Sequence, residues 1–203
     1  MTSAGPYEDV ARALAGTEFA AIRHVSVTTS TNADASVLLG EQRFAGLSIV
    51  ADYQTHGIGR KGRVWSAVPS SSLLFTTILP APIRAGDLWA APFWSALAVA
   101  QALAECGVVV TLAWPNDLLL PAGKVAGVLC ASRVAGDVAW AACGVGVNLH
   151  RDALVQHAID PPPGFCDDVA RVERSVLLRA ILLQYHATLD TLNNPQRVAR
   201  LWE

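Results

Sequence analysis

The stretch VADYQTHGIGRKGRVW, Val50 to Trp65, lies between two apolar, β-branched runs, LSIVADYQ (47–54) and SLLFTTIL (72–79). Each run reads as a buried strand bounded by turn residues. Gly57, Gly59 and Gly62 spell G-x-G-x-x-G. In dinucleotide-binding folds that spacing carries a strand into a helix whose N-terminus meets a pyrophosphate, and an acid about 20 residues on holds the ribose. Here the loop runs on through Trp65, Pro69 and Ser70 to Ser72 into another strand, and no Asp or Glu occurs between Asp52 and Asp87. A nicotinamide dinucleotide site is therefore not expected.

The loop offers cationic charge instead. Arg60, Lys61, Arg63 and later Arg84 face no acid in that interval. Glycines let backbone fold close to a ligand, and guanidinium forks grip phosphate oxygens. A phosphate-bearing anion is the expected ligand, and the like charges predict a loop without compact order until that anion arrives. The whole chain carries a net charge of −2, so the anion site is local and nucleic acid is not an expected partner.

At 203 residues, 52% of them hydrophobic and 16% charged, the chain can bury a large core as one domain spanning 1–203. The four cysteines, Cys106, Cys130, Cys143 and Cys166, form no C-x-x-C pair and sit near no suitably spaced histidine, so they read as reduced small hydrophobes and no metal site is expected. His150 and His157 also lack ligand spacing, His56 reads as structural, and Ser70 to Ser72 lack the context of a nucleophile elbow. The N-terminus shows no signal peptide, which favours a cytoplasmic protein. Leu88 to Ala104 is uncharged, but Pro92 and the acidic flanks Asp87 and Glu105 favour a buried helix over a membrane span.

Along the chain, the first 15 or so residues read as helix, with Pro6 suited to a first turn, and Ile22 to Val27 as strand. Asn32 to Gln42 reads as helix, with Ser30 and Thr31 where N-caps belong. A long helix from Asp87 to about Cys106 precedes VVVTLAW, a short run after PND, KVAGVLCASRV and DVAWAACGVGVNL, all strand-like. The short turns PAGK and VAGD connect antiparallel neighbours. The PPPG at Pro161 to Gly164 punctuates the late part, helix follows from about Val172 to Leu192, and a last turn or two ends at Glu203. Strands in runs and helices in runs predict an α+β fold, a mixed, largely antiparallel sheet flanked by helices.

Five motifs occur in order: TTSTN (28–32), YQTHGIGRKGRVW (53–65), WPNDLLL (114–120), GKVAGVL (123–129) and GVGVNL (144–149). Together they resemble the catalytic domain of biotin protein ligases, from about residue 22 to the final LWE. The resemblance implies a fold related to class II aminoacyl-tRNA synthetases. It implies two steps: biotin and Mg·ATP give biotinyl-5′-AMP and pyrophosphate, then a lysine of a biotin carboxyl carrier domain takes the acyl group. It implies a biotin pocket of Ser30, Thr31, Asn32, Gln54, Gly57, Ile58, Gly59, Arg60, Lys124, Gly127 and Leu129, with Gly127 and Leu129 as its floor. Arg60, Arg63, Trp65, Asn116, Asp117, Lys124 and Asn148 are implied on the ATP side, Arg60 and Lys124 being the catalytic pair. Trp65 is left to cover biotin or pack the loop, and Asn116 and Asp117 compete with a tight turn after Pro115.

The pattern breaks at Ile58, where the family usually has Arg, and at Ala113, where it usually has Lys. Each lost charge-assisted contact is worth about 1.5–3 kcal/mol, so weakened nucleotide binding or turnover is expected, with Lys61 a candidate to offset one loss. No N-terminal winged helix or C-terminal β-barrel-like domain is recognised, so DNA binding is not expected; a homodimer is left open. The rival function is a degenerate ligase-like protein that binds biotin or its adenylate without efficient transfer.

Overall fold

The computed structural model describes residues 5–151 and 162–202. Its strands are β1 (Ile22–Thr28), β2 (Ser48–Gln54), β3 (Ser72–Ile78), β4 (Ile83–Arg84), β5 (Thr111–Ala113), β6 (Asp117–Leu120), β7 (Gly123–Ala135) and β8 (Val138–Asn148). They form one sheet in the order β1-β2-β3-β8-β7-β6-β5, with β4 paired to β8. β1 and β2 are parallel, and the other pairings are antiparallel. The mixed, largely antiparallel sheet is thus as expected. The glycine loop joins the antiparallel pair β2 and β3, which is why no helix follows it.

Five α-helices accompany the sheet among the described residues: α1 (Glu8–Ala13), α2 (Thr31–Ser36), α3 (Ala90–Glu105), α4 (Arg174–Leu192) and α5 (Pro195–Trp202). Because side chains alternate along a strand, Leu73, Phe75, Val128, Val145 and Val147 enter one core with Trp94, Val99, Leu178 and Ile181 of α3 and α4. Ile49, Ile78 and Ala142 form a smaller cluster with Ala35 of α2 and Leu39 beyond it. The uncharged segment 88–104 is therefore a core helix, and no helix among the described residues is long and apolar enough to cross a membrane. On the far side, Asp52 ties β2 to α4 and β1: Arg174 Nη1 lies 2.6 Å and His24 Nε2 2.9 Å from its carboxylate. Burial acts to raise the Asp52 carboxyl, but these contacts outweigh it and hold it below the usual range.

Three elements differ from expectation. The helix expected over 32–42 stops at Ser36, because Gly40 adopts φ +91° and the following amides bond to carbonyls three residues back. VVVTLAW yields strand only at Thr111–Ala113. Its first valine closes α3 instead: Gly107 at φ +83° lets Val108 N–H reach Leu103 O at 2.8 Å, a left-handed helix stop. The last turns form an eight-residue helix, α5, anchored by Trp202 against Phe93. Met1 to Ala4, His157, Pro161 and Glu203 lie outside the described residues.

Candidate functional site

The face of the sheet that carries α2 continues into a cleft with a nearly bare floor. Register explains it. Thr76 pairs with Gly144, and Gly144 with Leu129; two residues on, Leu74 pairs with Gly146, and Gly146 with Gly127. Two cross-strand rows thus point the same way, and three of their six positions have no side chain. The cleft is lined from Thr31, Asn32, Gln54, Ile58, Gly59 and Trp65 on one side to Leu74, Asn116, Lys124 and this floor on the other. It holds about 420 Å³ of empty space, open mouth included.

Hydroxyls and amides make its inner end. Gln54 Oε1 accepts the Thr31 backbone N–H at 2.8 Å and the Thr31 hydroxyl at 3.0 Å. Ser30 holds the N-cap position in extended backbone yet makes no side-chain cap bond, so Gln54, from the neighbouring strand, satisfies the first free N–H of α2. Asn32 Nδ2 donates to Leu129 O at 3.0 Å, and its Oδ1 accepts from Thr76 at 2.8 Å. Gly144 makes room for that amide, since a Cβ there would sit 2.1 Å from Asn32 Oδ1.

The outer end is cationic. Lys124 Nζ lies 2.7 Å from Asp117 Oδ1 and 5.5 Å from the Trp65 ring centroid. WPN forms the turn of the β5–β6 hairpin, so the turn and site readings of Asn116 hold together. Asn116 is buried, donates from Nδ2 to Val128 O at 2.7 Å, and accepts from Arg60 Nη1 at 3.5 Å, which ties Arg60 to a lining residue. The glycine loop borders the cleft through Ile58, Gly59 and Trp65. It is a hairpin in which Gly59 N–H bonds Arg63 O at 2.7 Å, Trp65 N–H bonds Gly57 O at 2.8 Å, and Ile58 faces Val64. Trp65 packs its indole on the floor glycines, 2.6 Å from a Cβ built at Gly146, and its Nε1 is buried without an acceptor. Ile58, 55% exposed, stands in the cleft lining and brings an apolar side chain there in place of a cation.

Some expected residues stand apart. Ser30, Gly57, Arg60, Arg63, Asp117 and Asn148 are not in the lining, although Arg60 bonds to Asn116 and Asp117 to Lys124, which are. Asn148 Nδ2 donates at 3.2 Å to both Lys124 O and Gly164 O, binding β7 to the segment after Pro162. Gly57 supports the loop: a Cβ there would meet Trp65 O at 2.5 Å. Leu74, Gly144 and Gly146 line the cleft, and Thr76 bonds to Thr31 and Asn32 behind that lining, but none of the four is among the residues expected from the sequence. The alternation G-x-G in GVGVNL is the signal for the last two. The cysteines are free. Cys166 is pushed up to about 12, mainly by burial and then by neighbours led by Asp167, which fits an inert packing residue. Among the described residues, no group of three His, Cys, Asp or Glu is placed to hold a metal ion.

Comparison with known proteins agrees with this geometry. Residues 24–148 match the Biotin/lipoate A/B protein ligase family. The biotin--[acetyl-CoA-carboxylase] ligase of Paracoccus denitrificans is 42% identical over 132 residues, which cover 60% of this chain and 52% of that one. The chain thus spans about half of that relative's length. The ligase of the same description from Mycobacterium tuberculosis is 30% identical over 204 residues, 91% of this chain and 71% of that one. The biotin protein ligase from Aquifex aeolicus in complex with biotin and ATP shares the fold, with a TM-score of 0.69 and 24% identity over 86% of this chain and 72% of that one. With its motifs, sheet order and cleft in agreement, the chain belongs to the biotin/lipoate A/B protein ligase family.

Proposed function

We propose that the chain activates biotin with ATP and transfers it to a lysine of a carboxylase carrier domain. One observation carries this reading: a single cleft joins an amide-lined inner end, a glycine floor and an outer end with Lys124 and with Asn116, to which Arg60 bonds. Biotin has a polar ureido head, an apolar body and a terminal carboxylate, which suit these three zones in turn. Thr31, Asn32 and Gln54 would bind the head, and Gly127, Leu129, Gly144, Gly146 and Ile58 would carry the rings and chain.

The biotin carboxylate oxygen then attacks the α-phosphorus of ATP, and the bond to the bridging oxygen breaks as pyrophosphate leaves. Lys124 and Arg60 offset negative charge on the α-phosphate as it develops. Trp65, Asn116 and Asp117 border the nucleotide, and Arg63 is assigned to its phosphates. Magnesium enters with the ATP phosphates as part of the substrate. In the second step the carrier amine attacks the acyl carbon, loses a proton and expels AMP. The proposed setting is the cytoplasm, where reduced thiols are the rule.

Ile58 and Ala113 favour a second reading, a binder of biotin or its adenylate without efficient transfer. Isotope exchange between ATP and pyrophosphate separates the two. The ligase reading predicts exchange with biotin and none with lipoate or without acid. Saturable biotin binding without exchange would establish the binder instead.

A further inference from the structure

We propose that Gly164, a residue outside the cleft lining, is a positioning residue for Lys124, acting through a strap of chain at 162–164 that holds the start of β7 in the register that turns this lysine into the cleft. The proposal rests on the ligase reading above and adds a residue to it.

Alternation along β7 alone would send Lys124 the other way. Val128 and Ala126 belong to the main core, and two residues further back the same face would take Lys124. Instead the lysine lines the cleft with Gly127, where a Cβ would lie 3.0 Å from its Nζ, and Val125 is fully buried in the core. A β-bulge makes the reversal. Leu118 of β6 pairs with Ala126 and Leu119 with Lys124, so Val125 has no partner on β6 and the side chains change phase there.

A bulge at the very end of a strand needs support from its other side, and β8 does not supply it. Pairing with β8 begins at Ala126, opposite Val147. Beside Lys124 the strap takes the place of β8. Lys124 bridges Pro163 in parallel, its N–H bonds Pro162 O at 2.7 Å, and Gly164 N–H bonds Lys124 O at 2.8 Å. Asn148, the last residue of β8, closes the junction by giving one Nδ2 proton to Lys124 O and the other to Gly164 O, each at 3.2 Å. The backbone N–H of Lys124 and both lone pairs of its carbonyl are thereby taken up, which fixes the peptide planes from which the side chain projects. The approach is backbone on backbone: a Cβ on Gly164 would lie 2.6 Å from Gly123 O and 3.0 Å from Gly123 C. Any side chain at 164 must therefore push the strap off β7.

The test compares biotin-dependent ATP/pyrophosphate exchange, biotin calorimetry and thermal melts for the wild-type chain, Gly164→Ala and Lys124→Ala, singly and combined. A displaced strap predicts an exchange kcat lower by about 10–100-fold in Gly164→Ala, the effect of moving a group at the reacting centre by about 1 Å. Biotin affinity should stay within about threefold, because Thr31, Asn32 and Gln54 bond to one another, to Thr76 and to Leu129 and not to the strap. In the Lys124→Ala background the glycine substitution should cost less than about threefold more, since its effect passes through the lysine. Asn148→Ala, which opens the junction without adding an atom, should repeat these results if Gly164→Ala melts too low to assay. Wild-type exchange in Gly164→Ala overturns the proposal. So do losses that multiply in the double variant, which make the strap a general support, and an Asn148→Ala effect confined to the KM for ATP, which gives that amide to the nucleotide. A wild-type chain that shows no exchange with biotin overturns the ligase reading itself and the proposal with it.

Discussion

Lys124→Ala is expected to slow biotin-dependent ATP/pyrophosphate exchange by about 10²–10³-fold, the usual effect of removing one fixed group that stabilises developing charge. The fold should survive. The Lys124 side chain is 23% exposed and touches Asp117 and Trp65, neither in the main core. Its backbone carries the local architecture: Lys124 N–H bonds Pro162 O at 2.7 Å, and Lys124 O accepts from Gly164 N–H at 2.8 Å and from Asn148. Those contacts remain in the alanine variant. The substitution also releases Asp117, leaving a partly buried carboxylate unpaired near incoming phosphates, which adds to the loss. Exchange rates beside a thermal melt check this. Exchange at the wild-type rate with an unchanged melt would remove Lys124 from the chemistry.

Gly144→Ala is expected to weaken biotin binding by about 100-fold or more while leaving the sheet in place. The added Cβ would stand 2.1 Å from Asn32 Oδ1 and 2.6 Å from its Cγ, distances no real contact tolerates. Asn32 must leave Leu129 O and Thr76, and each buried group left unpaired costs about 1–3 kcal/mol. Gly86→Ala is the matching control, since nothing lies within 4 Å of a Cβ there and its φ is not positive. Calorimetry should show biotin binding lost in the first variant and kept in the second.

These two sites show what the sequence made legible. Thr31, Asn32, Gln54, Asn116 and Lys124, which line the cleft, are legible because their motifs are local, each polar residue sitting in a short recognisable string. The strand–loop–strand path was found because no helical period follows Gly62. Thr76 was not, because threonine in a buried β-branched run looks like ordinary strand composition, and its partners are 44 and 45 residues away. Which glycines share a face follows from period two, but that they lie beside Gly127 depends on long-range register. Asn148 was placed near adenosine on its motif alone, whereas its amide is taken up by Lys124 O and Gly164 O. Ser30 read as a helix cap because its position is right, and the capping oxygen comes from Gln54 across the sheet.

The central claim is that one cleft receives the whole acyl-phosphate. A crystal structure of the chain with biotinyl-5′-AMP tests it most directly. It should show the fused rings over Gly144 and Gly146, the ureido oxygen within hydrogen-bond reach of Gln54 Nε2, and phosphate oxygens within about 3.2 Å of Lys124 or Arg60. An adenylate seated elsewhere, with Trp65 still pressed on an empty glycine floor, would contradict the account.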